Sequence, residues 1–77
     1  MTKALILINT APGADRGVAN KVKKLKGVQN VYLVSGLYDV VAEVQADDAS
    51  GMVAFVYDKL RVIKGISGTH TMFCLDV

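Results

Sequence analysis

Two helix stops of the same design set the plan of this chain. Leu25-Lys26-Gly27-Val28 and Ile63-Lys64-Gly65-Ile66 share one pattern, offset by 38 positions (64 − 26). In each, an apolar residue is followed by a lysine, which suits the negative end of a helix dipole, and then by glycine, which can take the left-handed conformation that ends a helix. Each stop runs directly into a segment rich in β-branched residues. A chain of 77 residues built on that repeat is predicted to be two βαβ halves, each crossing over through a helix and sharing one sheet.

The intervening segments fit. Lys3 to Thr10 is short, apolar and ended by the Pro12-Gly13 turn signal, which predicts a strand. Asp15 is the expected cap of a first helix, and Ala14, Val18, Val22 and Leu25 recur at helical spacing, with Asn20, Lys21 and Lys24 on the other side. A second strand is expected over Val28 to Ser35 and a third over Val40 to Gln45, joined as a hairpin through Gly36-Leu37-Tyr38-Asp39. Asp47-Asp48 opens the second helix, where carboxylates meet free amides. Its expected buried stripe is Ala49, Val53, Val56, Leu60 and Ile63, with Met52, Phe55 and Lys59 widening one flank. Ile66 to Leu75 is the fourth strand. The fold class is α+β: a ferredoxin-like βαββαβ arrangement over residues 1–77, a four-stranded antiparallel sheet with two helices on one face.

That arrangement leaves the other face of the sheet to be covered. Ala4 to Ile8, Val40 to Val44 and Met72 to Leu75 are nearly continuous apolar runs, whereas a sheet with one wet face alternates apolar and polar residues. A domain of this size also buries only about 60% of the surface its unfolded chain exposes, so it needs a staple or a partner. With Cys74 as the only cysteine there is no intrachain disulfide, and no CxxC or HxxxH pattern offers a metal site. A second copy is the simplest cover, which predicts a dimer packed sheet against sheet, in the manner of dimeric αβ-barrels.

Composition narrows the function. No run of 18 or more apolar residues exists, the short Ala4–Ile8 run does not make a signal peptide, and a single cysteine suits a reducing compartment, so a cytoplasmic location is expected. The net charge of +2 argues weakly for any polyanionic partner, and the lysines at 21, 23, 24 and 26 read as a solvated helix face before they read as a phosphate patch. There is no nucleophile elbow, P-loop or dinucleotide fingerprint, and therefore no expected cofactor.

Three segments remain as candidates. In Ser35-Gly36-Leu37-Tyr38-Asp39, glycine can bend the chain and expose backbone amides, and Asp39 can bind an ammonium group or, more plainly, satisfy its own loop. In Gly68-Thr69-His70-Thr71, two threonines two apart share a strand face and can hydrogen-bond a small polar ligand, or simply serve β-propensity, while His70 points the other way. Cys74, between Phe73 and Leu75, reads as a small buried hydrophobe and not as a reactive thiol.

These segments, with the Lys26-Gly27-Val28 to Val31-Tyr32 stretch, carry a resemblance. Val34 to Val44 looks like the hairpin of the Lrp/AsnC ligand-binding domain, also called the RAM domain, with glycine and then Tyr-Asp before an apolar strand. Lys64 to Phe73 looks like the family's last strand, with Gly-Ile followed by a Thr-x-Thr pair. The similarity covers essentially the whole chain. Family members usually begin with a helix-turn-helix domain, whereas this chain starts at the first strand, so a stand-alone form without DNA binding of its own is expected. Leu37 departs from the family, where a polar or charged residue is common. The resemblance implies dimers through the sheet, assembling into octamers or similar rings of dimers. It also implies an amino-acid effector held between dimers by Ser35, Gly36, Tyr38, Asp39, Thr69 and Thr71, and a full-length Lrp/AsnC regulator as a further partner.

Two functions therefore stand side by side: a non-enzymatic sensor that binds an amino acid and alters assembly, and a small cofactor-independent enzyme of the dimeric αβ-barrel type. One histidine and no acid–base pair tied to it by spacing weigh against the enzyme.

Overall fold

The repeated helix stop is carried out twice in the same geometry. In the computed structural model, which describes residues 1–77, Gly27 and Gly65 take φ of +95° and +104°. At each site the strand's first amide reaches back to the end of the helix: Val28 N–H donates to the Leu25 carbonyl and Ile66 N–H to the Ile63 carbonyl. Gly27 is also in close approach, since a Cβ there would lie 2.7 Å from the Gln45 carbonyl oxygen.

The elements follow in the expected order: β1 (Thr2–Thr10), α1 (Asp15–Lys23), β2 (Val28–Leu33), β3 (Val40–Ala46), α2 (Ala49–Phe55), a π-helical turn (Val56–Leu60) that continues α2, and β4 (Ile66–Cys74). The four strands form one antiparallel sheet in the order β2-β3-β1-β4. This is the ferredoxin-like βαββαβ fold. β2 ends two residues before Ser35 because the chain turns there. Val34 N–H still closes a last rung on the Asp39 carbonyl, and Gly36 then takes φ +116°.

Two local expectations need correcting. Asp15 does not cap α1: the cap position is Ala14, and the Asp15 side chain accepts from the neighbouring Arg16 amide inside the first turn. Asp48 does cap α2, accepting from Gly51 N–H at 2.7 Å. The buried stripe of the second helix runs through Met52, Val56 and Leu60, while Ala49 and Val53 are exposed and Ile63 lies beyond the helix, half-buried. The cause is the π-helical turn, closed by an i→i+5 bond from Arg61 N–H to the Val56 carbonyl at 2.8 Å, which shifts the phase of the stripe.

All of the core lies on the helix side. Ala4, Ile6 and Ile8 of β1 and Val40, Ala42 and Val44 of β3 meet Val18 and Val22 of α1 and Met52, Val56 and Leu60 of the second helix. The opposite face contains no buried residue. By register it carries Leu5, Leu7, Val41 and Met72 at its centre, with Tyr32 beside Val41. Polar groups frame that centre: Asn30 Nδ2 donates to Glu43 at 3.0 Å, and Lys3 reaches Asp76 at 3.8 Å. The second face is therefore an apolar centre in a polar frame and not the uninterrupted apolar surface that the strand composition suggests. Cys74 stands at its margin opposite Lys3 and is exposed, not buried, because β4 is an edge strand.

Candidate functional site

The hairpin and the Thr-x-Thr strand meet the end of β1 from opposite sides. Ile8 pairs with Val40 on one side and with Thr69 on the other. Two strand spacings therefore separate the start of β3 from Thr69, about 10 Å. Across that gap the hairpin is tied down by three contacts. Asp39 N–H donates to the Ile8 carbonyl at 3.0 Å. The Asp39 carboxylate, through Oδ2, accepts from Thr10 N–H at 2.8 Å and from the Thr10 hydroxyl at 3.2 Å. Tyr38 reaches over β1: its hydroxyl hydrogen-bonds His70 Nδ1 at 3.0 Å, and the two rings pack edge to face at 5.7 Å.

The six residues singled out by sequence divide into two groups. Ser35 and Gly36 are exposed at the hairpin tip, and Tyr38 and Asp39 are half-buried where it docks. Thr69 and Thr71 pair with Ile8 and Ile6, whose side chains are in the core, so both threonines face the helices, half-buried. His70 pairs with Leu7 and faces the other way, as alternation requires. The structure brings the hairpin to the same end of the sheet as the threonines, but no cleft of a single chain joins the groups. None of the five clefts is lined by Ser35, Gly36, Tyr38 or Asp39.

The threonines do line clefts, and these introduce a residue that sequence reasoning passed over. One cleft of about 340 Å³ runs along the start of β4, between Ser67, Gly68, Thr69 and His70, with Arg61 at its side. A second of about 290 Å³ lies over Thr69, Thr71 and Phe73 and is closed by Val53 and Tyr57 of the second helix, again with Arg61. Arg61 and Thr69 belong to both. The guanidinium lies 5.0 Å from the centre of the Tyr57 ring, a cation–π contact between two exposed side chains. It makes no ion pair within the chain, whose one salt bridge is Lys3–Asp76. A cation at the end of a helix reads in sequence as a dipole partner, and nothing in spacing says that it turns toward a strand. Thr10 and His70 were missed as partners of Asp39 and Tyr38 for the same reason: both contacts are long-range.

No group of three or more histidine, cysteine or acidic side chains is placed to hold a metal. No helix is long and apolar enough to cross a membrane.

Comparison with known proteins agrees with this fold. Residues 3–77 match the model of the Lrp/AsnC ligand binding domain. An uncharacterized HTH-type transcriptional regulator of Pyrococcus abyssi is 37% identical over 97% of this chain, and the match takes in 52% of the regulator. The HTH-type transcriptional regulator FL11 of Pyrococcus furiosus is 35% identical over 96% of this chain and 48% of its own length. The chain thus spans about half the length of the curated relatives it matches. Among solved structures, FFRP-DM1 superposes with a TM-score of 0.92 at 33% identity, covering 97% of this chain and 100% of that one. The complex of the Neisseria meningitidis regulator NMB0573 with L-Met shares the fold, with a TM-score of 0.87 at 22% identity over 97% of this chain and 50% of that one. The relatives are transcriptional regulators and the matching domain is a regulatory ligand-binding domain, not an enzyme. The chain belongs to the Lrp/AsnC ligand-binding domain family.

Proposed function

We propose that residues 1–77 act as one amino-acid effector-binding module, in the cytoplasm, and that the effector site is completed between copies of the chain. The observation that carries the reading is the division of the site: a docked hairpin with Asp39 on one side of β1, threonines on the other, and no cleft that unites them in one chain. An α-amino acid needs an acceptor for its ammonium and donors for its carboxylate. Asp39 supplies the first, since only its Oδ2 is engaged by Thr10. The amides near Gly36 and the hydroxyls of Thr69 and Thr71 supply the second, with Ser35 and Tyr38 framing the hairpin side. The L-Met complex of NMB0573 is a precedent for an amino acid on this fold.

Assembly follows from the open sheet face. Its centre of Leu5, Leu7, Val41 and Met72 pairs two copies, and dimers join further into rings, an octamer or its like, at the contacts where the effector sits. Binding then alters assembly, of this chain alone or together with a full-length Lrp/AsnC regulator. The test is a calorimetric screen of the common amino acids combined with light scattering in the presence and absence of each. A binder that also changes the mass of the particle is the expected result. No heat with any amino acid, on a protein that scatters as a well-folded assembly, would remove the proposal.

A further inference from the structure

His70 is the chain's only histidine, and it stands apart from the threonines that flank it. It pairs with Leu7 and so points to the open sheet face, while Thr69 and Thr71 point to the helices. On that face it borders the apolar centre: Leu7 lies across from it on β1, and Met72 is two residues along β4. The hairpin comes to it there. Tyr38 passes over β1, its hydroxyl lies 3.0 Å from His70 Nδ1, and the two rings meet edge to face at 5.7 Å. This is the one hydrogen bond between the hairpin and β4. A tyrosine hydroxyl can donate to that nitrogen or accept from it, so the bond holds in either tautomer of the ring.

In a single copy His70 is exposed, and water competes for the bond. A second copy laid on Leu5, Leu7, Val41 and Met72 excludes that water, because His70 adjoins two of the four. Shielded, the bond strengthens, and breaking it strands a hydroxyl and a ring nitrogen without partners. Lifting the hairpin is then far harder in a pair of copies than in one. We propose that His70 is a positioning residue of the effector site: through Tyr38 it holds the hairpin down, and the contact between sheets closes that latch. The hairpin that presents Asp39 and the amides near Gly36 is thereby fixed by assembly. By linkage, a ligand that binds the docked hairpin tightens the sheet contact in return. This inference rests on the sheet-to-sheet pairing and on the amino-acid reading of the hairpin, and adds the link between them.

Two measurements on the assembled, ligand-free protein test it. Diethyl pyrocarbonate carbethoxylates an open imidazole, and with one histidine its absorbance signature reports His70 alone. Tyr38 leaves Nε2 free, so slow reaction reports cover by the second copy. The expected rate is at least about tenfold below that of a peptide of residues 67–73. The second measurement is amide hydrogen exchange in His70→Ala, His70→Asn and Tyr38→Phe, with light scattering to confirm mass. In His70→Ala the Val34 and Asp39 amides, bound to the Asp39 and Ile8 carbonyls, should exchange about tenfold faster or more, with the β1–β3 ladder unchanged. His70→Asn sets an amide group where Nδ1 stands and should recover most of the protection, which a ring acting by bulk alone would not allow. Tyr38→Phe removes only the hydroxyl, should match the alanine variant in the hairpin, and replaces it if that variant does not assemble. Unchanged hairpin exchange in the variants, or carbethoxylation of the assembled protein at the peptide's rate, overturns the latch. Neither measurement involves a ligand, so that result leaves the amino-acid reading standing. A protein that shows the latch but binds no amino acid removes that reading alone.

Discussion

Replacing Asp39 separates what holds the hairpin from what would hold a ligand. In Asp39→Ala the carboxylate that accepts from Thr10 N–H at 2.8 Å and from the Thr10 hydroxyl at 3.2 Å is lost. Hydrogen bonds to a charged acceptor contribute roughly 1.5–3 kcal/mol when protected from water. This pair is only half-buried and shares one oxygen, so about 2 kcal/mol for both is the reasonable sum. For a domain of this length about 1 kcal/mol moves the midpoint by roughly 4–8 °C, which puts the loss near 8–16 °C at fixed protein concentration. Asp39→Ala is therefore expected to lower stability and binding together, and alone it cannot tell the roles apart. Asp39→Asn can. Its amide oxygen still accepts from Thr10, with the charge assistance gone, so stability should fall by about 1 kcal/mol and the midpoint half as far. It offers no anion to an ammonium group, so amino-acid affinity should still drop tenfold or more. Differential scanning calorimetry on all three proteins, with ligand titrations on the same samples, reads both quantities. If Asp39→Asn binds with wild-type affinity, Asp39 is a structural clamp on β1 and has no part in recognition.

Three other perturbations test the fold and the assembly. Gly27→Ala combines a φ of +95° with a Cβ 2.7 Å from the Gln45 carbonyl oxygen and should cost more than the roughly 1–3 kcal/mol of backbone strain alone. Gly13→Ala, at φ +79° with open space around it, should cost no more than that strain, and equal midpoints in thermal melts would contradict the close-approach argument. Leu7→Asp, at the centre of the open sheet face, should reduce the particle to monomers or abolish folding at micromolar concentration. Light scattering that gave wild-type mass would place the dimer contact elsewhere. Gel shifts with this chain alone should show no sequence-specific retention of DNA at physiological salt, and a specific complex would contradict a purely effector-binding role.

The sequence carried the fold because its signals are local. Lys-Gly stops, an Asp48 cap and strand-length apolar runs are each written within a few residues, and their repetition gave the βαββαβ order directly. The errors mark the limits of local reading. The stripe of the second helix was misplaced because periodicity assumes a uniform helix, and the π-helical turn at Val56–Leu60 breaks that assumption. Cys74 looked buried because Phe73 and Leu75 flank it, but burial depends on whether a neighbouring strand exists, and β4 has none on its outer side. At the candidate site, the threonine pair and its shared face followed from alternation alone. The Asp39–Thr10, Tyr38–His70 and Arg61–Tyr57 contacts did not, the first two because 29 and 32 positions separate the partners.

The π-helical turn also carries a consequence for how this domain can change over time. Its i→i+5 closure uses one residue more than an α-helix needs to climb the same height. Deleting a single residue from Val56–Leu60 would let the helix relax to regular form with the residues beyond it near their present phase, whereas straightening the turn at full length would rotate them by about 100°, the angular step of one residue at 3.6 per turn. In the second case Arg61 would leave the start of β4 and Leu60 the core, while Met52, one turn earlier, kept its place. The wide turn thus absorbs a one-residue surplus in backbone length, so that a gain or loss of one residue there can be taken up locally, without touching any strand.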